Sequence, residues 1–200
     1  MAKGQVGLLE RLGVCGFCDE IKNLTYLKTG IYQPKARYMA ELSAYYLIAF
    51  MTPFFLFQSQ FMLGTIVNSM LVTGALYTKG KEMLPVIFLP SIATLAQGVL
   101  FGSLTKYLLF MLPFIWIGNA LLVYGIKSLH IKKKQSFVTS AAMAATVKAG
   151  FLLVASYTLF TIGVIPAAFL TAFGMIQLGT ALAAIMVIWP IHSWRLKRQK

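Results

Sequence analysis

The sequence is poor in acid. Of its 200 residues only five are Asp or Glu, against eighteen Lys and Arg. The acids are Glu10, Asp19, Glu20, Glu41 and Glu82, and none follows Glu82. The second half therefore has no carboxylate for general acid–base chemistry, for a proton relay or for a carboxylate metal site. Histidine and cysteine are scarce as well, with two of each. His130 and His192 fit no metal-ligand spacing and read as interfacial polar residues at helix ends. No P-loop is present: between Gly74 and Lys81 the gap is wrong, and Glu82 stands where Ser or Thr is required. His-Glu-x-x-His and Gly-x-Ser-x-Gly are missing too. An enzyme is not expected, and no metal or other cofactor is implied.

Strand-type alternation is also lacking, and the apolar runs are long and continuous. Hydrophobic residues make up 58% of the chain, charged ones 12%, and the mean hydropathy is +0.76. A water-exposed domain of this size needs more polar surface than that. The expected fold class is all-α, a polytopic membrane protein built as a bundle of six transmembrane helices. The spans fall near 39–57, 61–77, 83–101, 111–127, 137–162 and 167–191. They divide the chain into an amino-terminal segment (1–37), a membrane domain (38–192) and a basic tail (193–200). No h-region follows the start, so a cleavable signal peptide is not expected. Val6, Leu8, Leu9 and Leu12, beside Lys3 and Arg11, suit a short amphipathic helix lying on the bilayer.

The formal charge of +13 follows topology and does not point to nucleic acid. The basic residues sit between apolar runs: six before the first span, two between the second and third, four between the fourth and fifth, and four in the tail. The opposite side carries only Lys106, and Lys148 falls within a span. That asymmetry places both termini in the cytoplasm of a multi-pass protein of the cell membrane. The partner it implies is the lipid bilayer.

Cys15-Gly-Phe-Cys18 is half of a zinc or redox motif. A closed zinc site needs four ligands, and no second pair is near. The pair is either incidental or a metal- or redox-active thiol pair, the latter fitting a small membrane scaffold or accessory protein that holds a metal through Cys15 and Cys18.

Asn68, Gln97, Asn119, Lys148 and Gln177 are polar residues inside apolar runs. Each is costly in lipid unless partnered. They serve either as interhelical hydrogen bonds or as the polar groups of a ligand pocket. Lys148 either snorkels to the cytoplasmic side or stabilises an anionic group. In the topology above, polar and aromatic groups gather towards the outer side. The substrate-binding candidates are Gln60, Asn68, Gln97, Trp116 and Asn119. Trp116 would stack on a ligand, and Asn119 and Gln97 would read its polar edge. With no acid on the outer side, that ligand is neutral or anionic.

Phe61-Met-Leu-Gly-Thr-Ile-Val-Asn68, Pro90-Ser-Ile-Ala-Thr-Leu-Ala-Gln-Gly98 and Met111-Leu-Pro-Phe-Ile-Trp-Ile-Gly-Asn119 occur in that order. The chain here resembles the substrate-binding S components of energy-coupling factor (ECF) transporters, over about residues 36–195. The resemblance implies a six-helix protein that captures a vitamin or other micronutrient as its small-molecule substrate. It also implies partners that supply the energy, a transmembrane coupling subunit and two ATPase subunits. The stripe at Ala40 and Ala44 is similar to the family's docking surface for the coupling subunit. The long amino-terminal segment with its cysteines departs from the family, whose members usually enter the first span sooner.

Overall fold

The computed structural model describes residues 23–28, 34–56 and 59–198. Cys15, Cys18 and the amphipathic segment around Leu8 lie outside them. No strand occurs among the described residues. After a single helical turn at 23–26 come α1 (Lys35–Phe55), α2 (Gln60–Tyr77), α3 (Leu84–Gln97), α4 (Leu108–Ile126), α5 (Phe137–Thr161), α6 (Ala168–Phe173) and α7 (Met175–Lys197).

Local signals set these bounds. Ser59 opens α2, its Oγ accepting from the backbone N–H of Met62 at 3.3 Å. Gly98 closes α3 at φ 77, a left-handed conformation that glycine adopts without strain. The expected third span, 83–101, is therefore cut to fourteen helical residues, preceded by a 3-10 turn at Gly80–Met83 and followed by another at Gly102–Tyr107. The expected sixth span, 167–191, breaks at Gly174 into α6 and α7 and runs on to Lys197. A Cβ on Gly174 would stand 2.8 Å from the Leu170 carbonyl oxygen, so only glycine fits that bend.

Three helical stretches are long and apolar enough to cross a membrane: Gly102–Lys132, Phe137–Thr161 and Ala168–Lys197. The first three helices fall short of that measure for visible reasons. α1 begins with Lys35, Arg37 and Glu41, α2 contains Gln60, Asn68 and Ser69, and α3 is short. The outward faces are apolar all the same. On α5 the exposed positions are Met143, Val147, Gly150, Val154 and Tyr157, at helical spacing, while Ala141, Ala145, Lys148 and Leu152 face inward.

Four helices close into a ring: α2 packs on α7, α7 on α5, α5 on α4, and α4 on α2. Helix α3 lies along α4 and α1, and α1 covers α3 and α2. The α4–α5 seam is tight. A Cβ on Gly125 would come 2.9 Å from Ala144 Cβ, and one on Gly118 would come 3.1 Å from Leu152 Cγ. Small residues of this kind let helix backbones approach closely.

Lys127, one of the four basic residues counted between the fourth and fifth spans, is fully buried. Here α4 widens into a π-helical stretch, Lys127–Lys132. The Lys127 Nζ donates to the carbonyls of Leu27 at 2.7 Å, Ala75 at 2.9 Å and Thr78 at 2.7 Å. Ala75 lies in the last turn of α2 and Thr78 is its C-terminal cap, where carbonyls have no helical partner and a cation is favoured. One ammonium thus ties α4, the end of α2 and the segment before α1 together.

Lys127→Met should leave those carbonyls buried without their donor, at about 1–3 kcal/mol each, so at least ~3 kcal/mol of stability should be lost. Lys133→Met, at an exposed site, should change stability by less than ~0.5 kcal/mol. Unfolding of both variants in detergent, followed by circular dichroism, checks this; equal midpoints would mean Lys127 is not a tie.

Candidate functional site

The ring of helices, with α3 and the loop after it, borders a partly open cavity of about 80 Å³, several times what a single water requires. It lies towards the end of the bundle where α2 and α7 begin and α3 stops. Helix α2 supplies Gln60, Gly64 and Asn68, four residues apart and so on one face. Helix α5 supplies Lys148, α7 supplies Gln177 and Thr180, and α4 supplies Asn119. The remaining wall is mostly apolar, including Leu63, Val67, Leu108, Ile115 and Phe173.

Lys148 does not snorkel. It is 2% exposed, and its Nζ donates to Asn68 Oδ1 at 2.6 Å. The other end of that amide, Nδ2, donates to Thr180 Oγ1 at 3.0 Å, and Thr180 donates to the Gln177 carbonyl at 3.1 Å. The chain of bonds joins α5, α2 and α7. The approach of α2 to α7 depends on Gly64, because a Cβ there would meet Thr180 Cγ2 at 2.9 Å. Gln177 Oε1 is buried with no hydrogen-bond partner.

The described carboxylates are engaged elsewhere. Glu41 accepts from Arg195 Nη2 at 3.2 Å and lies 3.5 Å from Arg37 Nε. Glu82 accepts from the Tyr38 hydroxyl and, at 3.1 Å, from the Lys79 backbone N–H. Both sit beyond the opposite end of α2 from Gln60. His192, expected at an interface, is buried there: its Nδ1 pairs with the Tyr77 hydroxyl at 2.7 Å, and its ring packs on His130 and Phe137. Among the described residues no three His, Cys, Asp or Glu side chains gather as a metal site.

Of the five binding candidates, Gln60, Asn68 and Asn119 line the cavity. Asn119 also braces α3, its Nδ2 donating to the Ile87 carbonyl at 3.1 Å. Gln97 and Trp116 do not line it. Gln97, at the last position of α3, turns its Oε1 to the Val99 backbone N–H at 3.0 Å. Trp116 lies edge-on against Phe88, with its indole N–H given to Ser91 Oγ at 2.8 Å, in an apolar groove between α3 and α4. Ser91 itself reaches the cavity, as do Thr94, Gln177 and Thr180; Gln177 reads from sequence as a polar residue inside an apolar run, but none of the four is among the five binding candidates. Gln177 and Thr180 are three apart at the start of an apolar helix, the same kind of signal that pointed to Asn68. Ala36, Ala40 and Ala44 run exposed along α1, away from the cavity.

Comparison with protein-family models, with curated proteins and with solved structures finds no match.

Gly64→Ala should push Thr180 away from Asn68 and lower stability by on the order of 1–3 kcal/mol, as overpacking does. Gly179→Ala, whose Cβ would meet Phe61 at an ordinary 3.5 Å, should cost less than ~1 kcal/mol. Melting temperatures of the two variants, compared with the parent, test how tightly α2 packs on α7; equal losses would mean that Gly64 is not a close contact.

Proposed function

We propose that this chain is a solute-capture subunit of the cell membrane, acting as the S component of an ECF-type importer and not as an enzyme. The observation that carries the reading is the cavity: a buried cation, four amides, two threonine hydroxyls and a serine hydroxyl converge inside an otherwise apolar bundle. Ligand sites are typically apolar walls with a few placed polar groups. Its lining includes residues from the start of α2, the start of α7 and the loop after α3. These are the ends that the charge asymmetry assigns to the outside.

In this reading α1 to α5 and α7 are the six spans, with both termini in the cytoplasm. Helix α3 together with its preceding 3-10 turn reaches about 29 Å at 1.5 Å per α-residue and 2.0 Å per 3-10 residue. That is close to the ~30 Å of a hydrocarbon core. The solute is a small micronutrient such as a vitamin. A transmembrane coupling subunit docks along Ala40 and Ala44, and two ATPase subunits supply the energy.

Topology is checked in intact cells with Cys15 and Cys18 replaced by Ser. Cysteine placed at Ser59 should react with an impermeant thiol reagent, and cysteine at Ser193 should react only after permeabilisation. Equal labelling of both in intact cells would rule out the topology.

Docking is checked by co-purification with coexpressed coupling and ATPase subunits. Ala40→Leu and Ala44→Leu should abolish complex formation, since the added bulk blocks close helix approach. Both should leave the melting temperature of the isolated chain nearly unchanged, because both positions are exposed. A chain that never co-purifies with such subunits is not a capture subunit of this kind.

A further inference from the structure

Lys148 poses a charge problem that no carboxylate among the described residues solves. A buried ammonium is strongly unfavourable unless an anion or a full set of acceptors compensates it, as three carbonyls do for Lys127. Among the described residues the one hydrogen bond of Lys148 goes to a neutral amide, Asn68. No acid follows Glu82 in the sequence, and the described carboxylates Glu41 and Glu82 are bound at the other end of the bundle. An ammonium has three N–H donors, so two remain for the cavity beside it. Asn119 likewise has a second amide N–H beyond the one given to Ile87. Across the cavity, Gln177 Oε1 is a buried acceptor without a donor.

We propose that the cavity binds a small monocarboxylate, its anionic oxygens held by Lys148 Nζ and Asn119 and an N–H or O–H group of the same molecule meeting Gln177. This names the solute class of the capture reading, and rests on it for the cavity being a solute site. The charge count favours one carboxylate over a phosphate. A single cation neutralises a monoanion, whereas a dianion would leave net negative charge in an apolar chamber. The volume of about 80 Å³ suits a small acid and not a nucleotide. Leu63, Val67 and Ile115 would pack against its carbon skeleton.

Asn68 offers a direct test, because Asn68→Asp builds the missing anion into the protein at the same atom position. The full chain is purified in detergent, and its melting temperature and binding heat are measured. The probes are sodium salts of straight-chain monocarboxylates from acetate to hexanoate and their 2-hydroxy and 2-amino forms. Matched primary amides, sodium phosphate and sodium chloride serve as comparisons.

At least one acid should raise the melting temperature where its amide, phosphate and chloride do not. Lys148→Met should weaken that acid roughly tenfold or more, as loss of a charged hydrogen bond does. Asn68→Asp should melt higher than the parent without ligand and lose the acid response. If Lys148→Met fails to fold, Asn68→Asp alone decides. The proposal is overturned if no acid acts, if an amide or phosphate acts as well as the acid, or if Asn68→Asp still responds. Acid binding by a chain that never assembles with coupling subunits would sink the capture reading and keep this site. Assembly without any acid response would do the reverse.

Discussion

The bond set around Lys127 anchors the amino-terminal end of this structure. Three carbonyl oxygens from two separate parts of the chain converge on one buried ammonium. Two of them belong to the end of α2, whose unpaired carbonyls would otherwise face an apolar interior. The position of α2 against α4 thus follows from electrostatics as much as from packing. Because α2 also borders α7, the same tie helps set the wall on which the cavity is built. A chain with few acids has used backbone oxygen where other proteins use carboxylate.

Lys148 shows the complementary arrangement. It too is buried, but it meets an amide side chain beside open space instead of a set of carbonyls. The two lysines therefore divide into a satisfied one that joins elements and an under-satisfied one that faces a cavity. The amide of Asn68 mediates by accepting from Lys148 and donating to Thr180. Three helices are registered by one side chain, which is an economical use of polarity in a medium that penalises it.

The helical architecture was legible in the sequence because long apolar runs and clustered lysines are strong signals. Asn68 and Asn119 were legible because a lone amide in an apolar helix must find a partner. Trp116 misled because its ring packs edge-on against Phe88 and its indole N–H is taken by Ser91, which turns it from the cavity. Gln97 misled because Gly98 ends the helix there, freeing its amide to bond locally at Val99. The pairing of Asn68 with Thr180 bridges 112 positions, and nothing in either segment announces the other. His192 was read as interfacial from its place near the tail, but α7 continues past it and folds it against Tyr77.

The α4–α5 seam has a consequence for how such a sequence can drift. Gly118 and Gly125 on one side, and Ala144 on the other, leave no room for an added methyl group. The opposite face of α5, with Met143, Val147 and Val154 outward, asks only for apolar bulk. Neutral variation would accumulate on that outer stripe and stall at the inner one. Two descendants of this chain could then differ at most of their outward positions and keep the same bundle. Their identity would be lost first on that outer stripe, while the few small residues of the seam stayed fixed.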